Sequence, residues 1–252
     1  MSRATASLIL RGSDLVAGQT RLRVEKVIGE LDYVPNNGTA RLRGQKSRMI
    51  GAIIPNLVDS VLAEFVEGFE ARLADTGHLE MFASSRDDPE RQSDLIRRPG
   101  EHVVEGLILS PADGTDTELI EQLRRSGLPI VQAMRHVGAG LSDFAGADHD
   151  LGVGESICHL RDLGHRRIAY VALAGETSTR TEGLTSVADH MAEMGPDNAG
   201  VVEVPLAWDG SPQSAALLMQ IQPRPTAAIC FNDMLGLGLL SGFYDIGLPP
   251  GA

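Results

Sequence analysis

Cysteine is scarce in this sequence, and long apolar runs are missing from it. The 252 residues include two cysteines, Cys158 and Cys230, which lie far apart and share no metal-ligand spacing with a histidine. These features argue against a disulfide framework and a zinc site, and we expect both cysteines in the core. No apolar stretch reaches the roughly 18 residues of a membrane span, and the N-terminus lacks the order of a signal peptide. We therefore expect a cytoplasmic protein.

Catalytic signatures are missing as well. The sequence has no GxSxG elbow, Walker loop or HExxH motif, each of which marks a known active-site geometry. Residues 236–242 imitate a dinucleotide fingerprint, but they fall inside a helix pattern and lack the third glycine at the required spacing. We expect a protein that is not an enzyme and that uses no cofactor or metal.

Charge is divided unevenly along the chain. The formal net charge is −12, but residues 1–48 hold nine Lys/Arg against four Asp/Glu, a net of +5 that leaves −17 for the remainder. A positive head on a negative body suits phosphate binding by one part and solubility of the other. The basic stretch 31–49 separates the two parts.

The hydrophobic pattern also changes at that stretch. Before it, apolar residues of segments 1–10 and 18–31 recur at helical spacing, which predicts two short helices that can pack together. After it, short apolar runs alternate with amphipathic segments from Met49 onward. This alternation predicts parallel sheets with helices on both faces.

Three segments resemble the N-terminal part of the lactose-repressor family of bacterial transcription regulators. They read SRATASLILRGS, GQTRLRVEKVIGELDYVPN and ARLRGQKSRMIGAIIPN, and the resemblance continues to about Pro249. It implies an α/β protein with a partial helix-turn-helix head, a hinge helix and a periplasmic-binding-protein-like core of two lobes with parallel sheets. In that family the head reads the major groove, the hinge helix enters the minor groove and the core senses a small molecule.

The resemblance assigns roles to residues near the DNA. Arg3, Ala4 and Leu8 match base-reading positions, and Leu42 matches the leucine that a hinge helix wedges into a base step to bend the DNA. Leu42 could alternatively pack an isolated amphipathic turn. The complete DNA-binding set that we expect is Arg3, Ala4, Thr5, Ser7, Leu8, Arg21, Asn36, Arg41, Leu42 and Arg43.

Four residues after predicted core strands form a candidate effector site: Asp148, Arg180, Trp208 and Asn232. Because ligands of open α/β sheets bind outside the carboxyl ends of the strands, we expect these four to share one rim. Carboxylate, guanidinium and amide groups suit the hydroxyls of a sugar-like or nucleoside-like effector, and an aromatic face suits its ring. Each residue also matches an effector-contacting position of the family. Asp148 could instead cap the following helix, and Trp208 could belong to the core.

The resemblance also predicts the domain boundaries. We expect a partial helix-turn-helix domain at 1–35, a hinge helix at 36–47, an N-terminal core lobe at 48–163 and a C-terminal core lobe at 164–252. A helix-turn-helix needs a first helix before its recognition helix, but only Met1 and Ser2 precede the recognition helix here, and the family continues beyond the last predicted helix. We therefore expect a chain that is truncated at both ends, with an incomplete second lobe.

These features favour a sequence-specific transcription regulator, most simply a repressor, that binds operator DNA as a homodimer and responds to a small effector. No membrane partner is expected. A sugar-binding module without a DNA role and a non-functional fragment of a regulator are the alternatives. The basic hinge segment and the missing signal peptide favour the regulator over the sugar-binding module.

Overall fold

The computed structural model describes residues 5, 9, 15–30, 47–100, 104–194, 200–204 and 213–248. The chain divides into two compact units, residues 1–47 and residues 48–252. The described strands all lie between Met49 and Cys230, so both sheets belong to the second unit.

The first unit contains helix α1, Gly18–Glu30. Val24 is buried on this helix, whereas Val27, which the sequence pattern placed on the same packed face, is exposed. Thr5 and Ile9 have helical backbone, and Ile9 is buried. Of these two α1 residues, Val24 follows the predicted packed face and Val27 does not.

The second unit begins with a five-stranded sheet whose strand order is β2-β1-β3-β4-β5, with every neighbouring pair parallel. Helices connect successive strands, apart from β4 and β5. The elements in chain order are β1 Met49–Ile54, α2 Ser60–Asp75, β2 Leu79–Ser84, α3 Pro89–Gly100, β3 Gly106–Leu109, α4 Thr117–Arg125, β4 Ile130–Ala133 and β5 Asp143–Ala145.

A second parallel sheet follows, with the strand order β7-β6-β8. Its elements in chain order are α5 His149–Asp162, β6 Ile168–Leu173, α6 Ser178–Met194, β7 Gly200–Val204, α7 Ser214–Gln220, β8 Ala227–Cys230 and α8 Asp233–Asp245. The predicted α/β class with parallel sheets is confirmed by both sheets.

Strand β6 is the centre of the second sheet, and its side chains alternate between two cores. Ala169 and Val171 belong to a cluster with Leu218 of α7 and Leu235 of α8. Alternation is expected because successive residues of a strand point to opposite faces. On the other face, Ile168, Tyr170 and Ala172 pack against Val153 and Ile157 of α5 and against Val187 and Met191 of α6.

Helix α5 therefore packs on the second sheet, although it precedes β6 in the chain. Val153 and Ile157 are buried among residues of β6 and α6. The predicted boundary between residues 163 and 164 would leave α5 in the first lobe, whereas its apolar face packs against β6 and α6. Sequence spacing could not assign α5 to a lobe, since an apolar helix face does not identify the sheet that covers it.

The first sheet has its own core. Ile53, Leu107 and Leu109 from its central strands pack against Ile96 of α3 and Ile120 of α4. Near-continuous apolar strands of this kind are typical of parallel sheets with both faces covered. The two lobes of the second unit are thus built around separate cores.

The two cysteines differ in burial. Cys230 is half-buried on β8, but Cys158 on α5 is exposed, so the prediction that both cysteines are core residues is wrong for Cys158. Its neighbour Ile157 takes the buried position on that helix. Among the described helices, none has both the length and the apolar character needed to cross a bilayer.

Candidate functional site

The carboxyl ends of the two sheets face each other, and the loops that follow them are in contact. Asn232, after β8, donates from Nδ2 to Oδ2 of Asp59, after β1, at 3.2 Å. Glu176, after β6, donates its backbone N–H to Oδ1 of Asp113, after β3, at 2.9 Å. These contacts define an interlobe cleft with polar walls, the position at which open α/β sheets bind ligands.

His136, after β4, makes a third contact between the lobes. Its ring Nε2 lies 2.8 Å from Oε1 of Glu182 on α6, and its backbone N–H donates to Ser178 Oγ at 2.9 Å. Phe144 of β5 meets the imidazole in an edge arrangement, with ring centroids 4.9 Å apart. The ring is thereby held between an aromatic neighbour in one lobe and a carboxylate in the other.

A buried ion pair organises the first-lobe side of the cleft. Arg135 Nη1 lies 2.7 Å from Asp87 Oδ1, and the two side chains are 14% and 7% exposed. The same Asp87 oxygen accepts the backbone N–H of Asp113 at 3.0 Å. Asp87 and its neighbour Arg86 both have positive φ, near 59° and 57°. Such conformations cost energy in residues other than glycine and concentrate at functional sites.

The second-lobe side comes close to Asp113 because Gly175 has no side chain. A Cβ atom at this glycine would lie 2.4 Å from Asp113 Oδ2, and its φ is +121°. Both the close approach and the backbone conformation favour glycine at this position. The contact between Asp113 and the amide of Glu176 depends on that approach.

Asp148 and Asn232, two of the predicted effector residues, flank an aromatic stack. His149 and Phe231 have ring centroids 6.2 Å apart and nearly parallel planes. Asp148 accepts the backbone N–H of Leu151 and so caps α5, which is the alternative role that its position before the helix allowed. Asn232 caps α8 in the same way, through the N–H of Leu235. The caps fix both side chains at the cleft, and Asn232 still has its amide nitrogen directed to Asp59.

Arg180, the third predicted effector residue, lies in the first turn of α6. Its Nε donates to the carbonyl of Leu173 at 2.9 Å. Its Nη2 forms an ion pair with Glu203 of β7. The guanidinium is therefore oriented by the strand ends of the second sheet, and part of its donor capacity is already used.

A separate pocket of about 410 Å³ lies beside Asp148, between α5 and α6 of the second lobe. Its other lining residues come from the first turn of α5 and from one face of α6: Ala147, His149, Asp150, Thr181, Glu182, Thr185 and Ser186. Ser186 is buried and donates to Asp150 Oδ1 at 2.8 Å. Hydroxyl and carboxylate groups dominate this lining, which suits a ligand with several hydroxyls. Within the described part of the chain, no group of three or more His, Cys, Asp or Glu is arranged to hold a metal ion.

The structure describes three of the four expected effector residues. Asp148 follows β5 of the first sheet and caps α5, which packs on the second sheet, while Arg180 and Asn232 follow strands of the second sheet. Of the expected DNA-binding residues, the structure describes Thr5, with helical backbone, and Arg21, on α1. Trp208, Arg3, Ala4, Ser7, Leu8, Asn36, Arg41, Leu42 and Arg43 lie outside the described residues.

Comparison with known protein families bears on both units of the chain. The family described as bacterial regulatory proteins, lacI family, matches residues 1–36, and the periplasmic binding protein-like domain matches residues 157–250. The HTH-type transcriptional repressor PurR of Photobacterium profundum is 26% identical over 251 residues, which are 98% of this chain and 75% of that protein. The chain belongs to the lacI family of bacterial regulatory proteins. Its PurR relative is a transcriptional repressor by name, not an enzyme.

Solved structures agree with this lacI-family fold. The lac repressor dimer bound to operator and the anti-inducer ONPF has a TM-score of 0.84 at 22% identity, covering 99% of this chain and 76% of that one. The complex of the transcriptional regulator CelR with cellobiose has a TM-score of 0.71 at 24% identity, covering 98% and 75%. At these identities the similarity establishes the shared fold.

Sequence reasoning did not single out several residues of the cleft. Asp59 and Asp113 follow strands β1 and β3, so the rule that located Asp148 applies equally to them. His136 follows β4, so the same rule applies to it. Its pairing with Glu182 carries no such signal, because 46 residues separate the two side chains.

Proposed function

We propose that this lacI-family protein is a sequence-specific DNA-binding transcription repressor whose operator binding is modulated by a small effector held in the interlobe cleft. The observation that carries this proposal is the set of polar contacts between facing strand ends, which joins Asp59 to Asn232 and Asp113 to Glu176. A ligand that inserts among such contacts changes how the lobes close, and a difference in affinity between two states is what shifts a conformational equilibrium. In this role the chain binds and does not catalyse.

A sugar-like or nucleoside-like compound is the effector that we propose. Asp148 and Asn232 flank the His149–Phe231 stack, and hydroxyl-bearing side chains line the adjacent pocket. We assign Asp148, Arg180 and Asn232 to effector hydroxyls and Trp208 to the face of its ring. The cellobiose complex of the similar regulator CelR supports a polyhydroxylated ligand.

The proposed DNA-binding surface is the basic first part of the chain. We assign base contacts to Arg3, Ala4 and Leu8, and we assign Leu42 to a wedge between base pairs. The excess of Lys/Arg over Asp/Glu within residues 1–48 supports this assignment, because phosphate contacts supply much of the affinity of such proteins for DNA. We place the helix-turn-helix at 1–35, the hinge helix at 36–47 and the effector-binding core after residue 47.

A homodimer is the proposed assembly, as in the lac repressor dimer bound to operator. Helix α8 offers a surface for it. Leu237, Leu240 and Tyr244 are exposed at helical spacing, while Leu235 and Leu239 face the core. Large exposed apolar side chains grouped on one helix face are typical of subunit interfaces. A twofold dimer matches a twofold operator and brings two hinge helices together. We place this dimer in the cytoplasm with its DNA.

Operator binding and its response to ligands test the proposal. Genomic fragments selected by the purified 252-residue chain supply the operator, and fluorescence anisotropy then measures affinity across a salt series and a panel of sugars and nucleosides. We expect affinity to fall steeply with salt, since counterion release accompanies phosphate contacts, and we expect at least one neutral compound to shift it. Absence of DNA binding at low salt, in a chain that circular dichroism shows to be folded, would favour the sugar-binding module.

A further inference from the structure

We infer that the effector is an uncharged or cationic polyhydroxy compound and not a phosphate or a carboxylate. The arginines Arg180 and Arg135 of the cleft are each paired with a carboxylate of the chain. This inference rests on the proposed effector site and adds the charge of the ligand to it.

Arg180 is the cation that an anionic effector would use first. Its guanidinium is paired with Glu203, and its Nε is bound to the carbonyl of Leu173. The Arg180 side chain is 17% exposed and that of Glu203 is 49% exposed. Residue 203 lies opposite Ala172 in the β6–β7 register, so the backbone of the sheet holds the carboxylate beside the arginine. A remaining guanidinium N–H can donate to a hydroxyl, but the positive charge is balanced.

Arg135 is neutralised still more completely. It pairs with Asp87 in the buried arrangement described above, and separating a buried pair leaves an uncompensated charge in a poorly solvated position. Arg86, in the same loop as Asp87, has an exposed side chain, so water and salt screen its charge.

Helix N-termini, which often bind phosphate through free amide groups, are also occupied by side chains of the protein. Asp59 accepts the N–H of Val61 on α2, Asp148 caps α5, and Asn232 caps α8. Three of the helices that begin at the cleft thus have a first-turn amide satisfied by a side-chain oxygen. A phosphate would have to displace these oxygens, two of which are negatively charged.

Among the other ionisable groups, carboxylates outnumber histidines. Asp113 and Glu182 lie at the contacts between the lobes, the latter beside His136, and Asp148 and Asp150 line the pocket with His149. An ionised carboxylate accepts hydrogen bonds and donates none, so it pairs with hydroxyl or ammonium donors and repels another anion. The chemistry of a neutral sugar or nucleoside fits this set, and that of a sugar phosphate does not.

Inorganic phosphate is the probe that tests the inference, because it carries the excluded charge without the rest of a ligand. Thermal unfolding of the full chain is followed across phosphate concentrations, with chloride holding ionic strength constant. The proteins are wild type, Glu203→Gln, Arg180→Gln and the double variant. Glu193→Gln is the matched control, since it makes the same change at an exposed position about 20 Å further along α6, at 1.5 Å per residue.

The readout is the saturable stabilisation by phosphate, taken relative to Arg180→Gln. This reference removes phosphate binding elsewhere and the general stabilising effect of the anion. We expect phosphate to stabilise wild type, Glu193→Gln and the double variant by the same amount as Arg180→Gln. We expect Glu203→Gln to bind phosphate at least tenfold more tightly than wild type. The inference is overturned if phosphate stabilises wild type more than Arg180→Gln. It is also overturned if phosphate stabilises Glu203→Gln no more than Arg180→Gln. Operator binding is measured separately. If the chain does not bind operator DNA, the phosphate result still tests the charge of the ligand.

Discussion

At the scale of single residues, one contact between the lobes depends on a glycine that has no side chain. Gly175 lets Asp113 reach the backbone of the opposite lobe, and a side chain there would collide with the carboxylate. Cys158 and Cys230 differ in a comparable way, since one is exposed on a helix and the other is half-buried in a strand. Each of these differences predicts a measurable effect.

Replacing Gly175 with alanine is expected to destabilise the protein by about 1–3 kcal/mol, because the new Cβ meets Asp113 and an alanine strains a backbone at φ +121°. Gly114→Ala is the matched control. Gly114 also has positive φ, but a Cβ atom added there would have nothing within 4 Å of it. Urea unfolding measures both variants. If both variants lose the same stability, backbone strain alone explains the loss, and the collision with Asp113 contributes nothing.

The two thiols are expected to react at different rates. Burial raises the pKa of the Cys230 thiol to about 11, and the thiolate is the reactive form. At pH 8 an aromatic disulfide reagent should therefore modify one thiol quickly and the other slowly, and Cys158→Ser should remove the fast phase. Two equally fast thiols, or a fast phase that survives Cys158→Ser, would contradict this assignment.

Alkaline pH should destabilise the second lobe for the same reason. Burial raises the pKa of Cys230 from 9.0 to about 11, and burial followed by repulsion from Cys230 raises that of Tyr170 from 10.0 to about 12. Because both pKa values are higher in the folded state, the stability that they contribute is complete below pH 9 and is lost as pH rises through 11 and 12. Urea unfolding between pH 8 and 11 should show this fall, with a smaller slope in Cys230→Ala. An unchanged slope in that variant would exclude the thiol as a cause.

At the scale of elements, helix caps connect local structure to the contact between lobes. Asn232 caps α8 and also reaches Asp59, which caps α2. One hydrogen bond thus joins the starts of two helices from different lobes. Asp116 caps α4 through the N–H of Glu118, and its described hydrogen bonds stay within its own lobe.

Asn232→Ala and Asp116→Ala separate the two roles. Loss of a cap should cost each variant about 1 kcal/mol of stability. Only Asn232→Ala should also speed amide hydrogen exchange in residues 56–61 of the opposite lobe, because only this variant removes a contact with Asp59. Mass spectrometry of exchanged peptides measures the difference. Faster exchange of that loop in both variants would indicate general loosening instead of a lost interlobe contact.

At the scale of the whole molecule, the second unit has two separate cores, and its α8 helix carries an exposed apolar face. Leu237→Lys should reduce dimer formation and, with it, operator affinity by at least tenfold, because a charge would be buried in the proposed interface. Leu163→Lys is the control, since Leu163 is 64% exposed and Leu237 is 63% exposed. Analytical ultracentrifugation measures the assembly. A Leu237→Lys variant that remains dimeric would move the interface away from this helix face.

Much of the fold could be predicted because it depends on local patterns. The alternation of apolar runs with amphipathic segments after Met49 predicted strands that alternate with helices, and β6 and α6 follow that pattern. The rule that ligands bind beyond strand ends located Asp148, Arg180 and Asn232 at a polar cleft. Their partners could not be predicted in the same way, since Glu203 and Asp59 lie 23 and 173 residues from the side chains that they bind.

The sequence by itself determined the α/β class, the order of the elements, the change from a basic to an acidic part and the resemblance to a repressor family, because each is written in residue types and their spacing. Tertiary structure alone decided that α5 belongs to the second lobe, that the rims of two sheets face each other, and that Arg180 and Arg135 are neutralised within the chain. The physical reason is that burial and charge pairing depend on distances between residues remote in sequence. Those distances determine which ligand charge the cleft can accept.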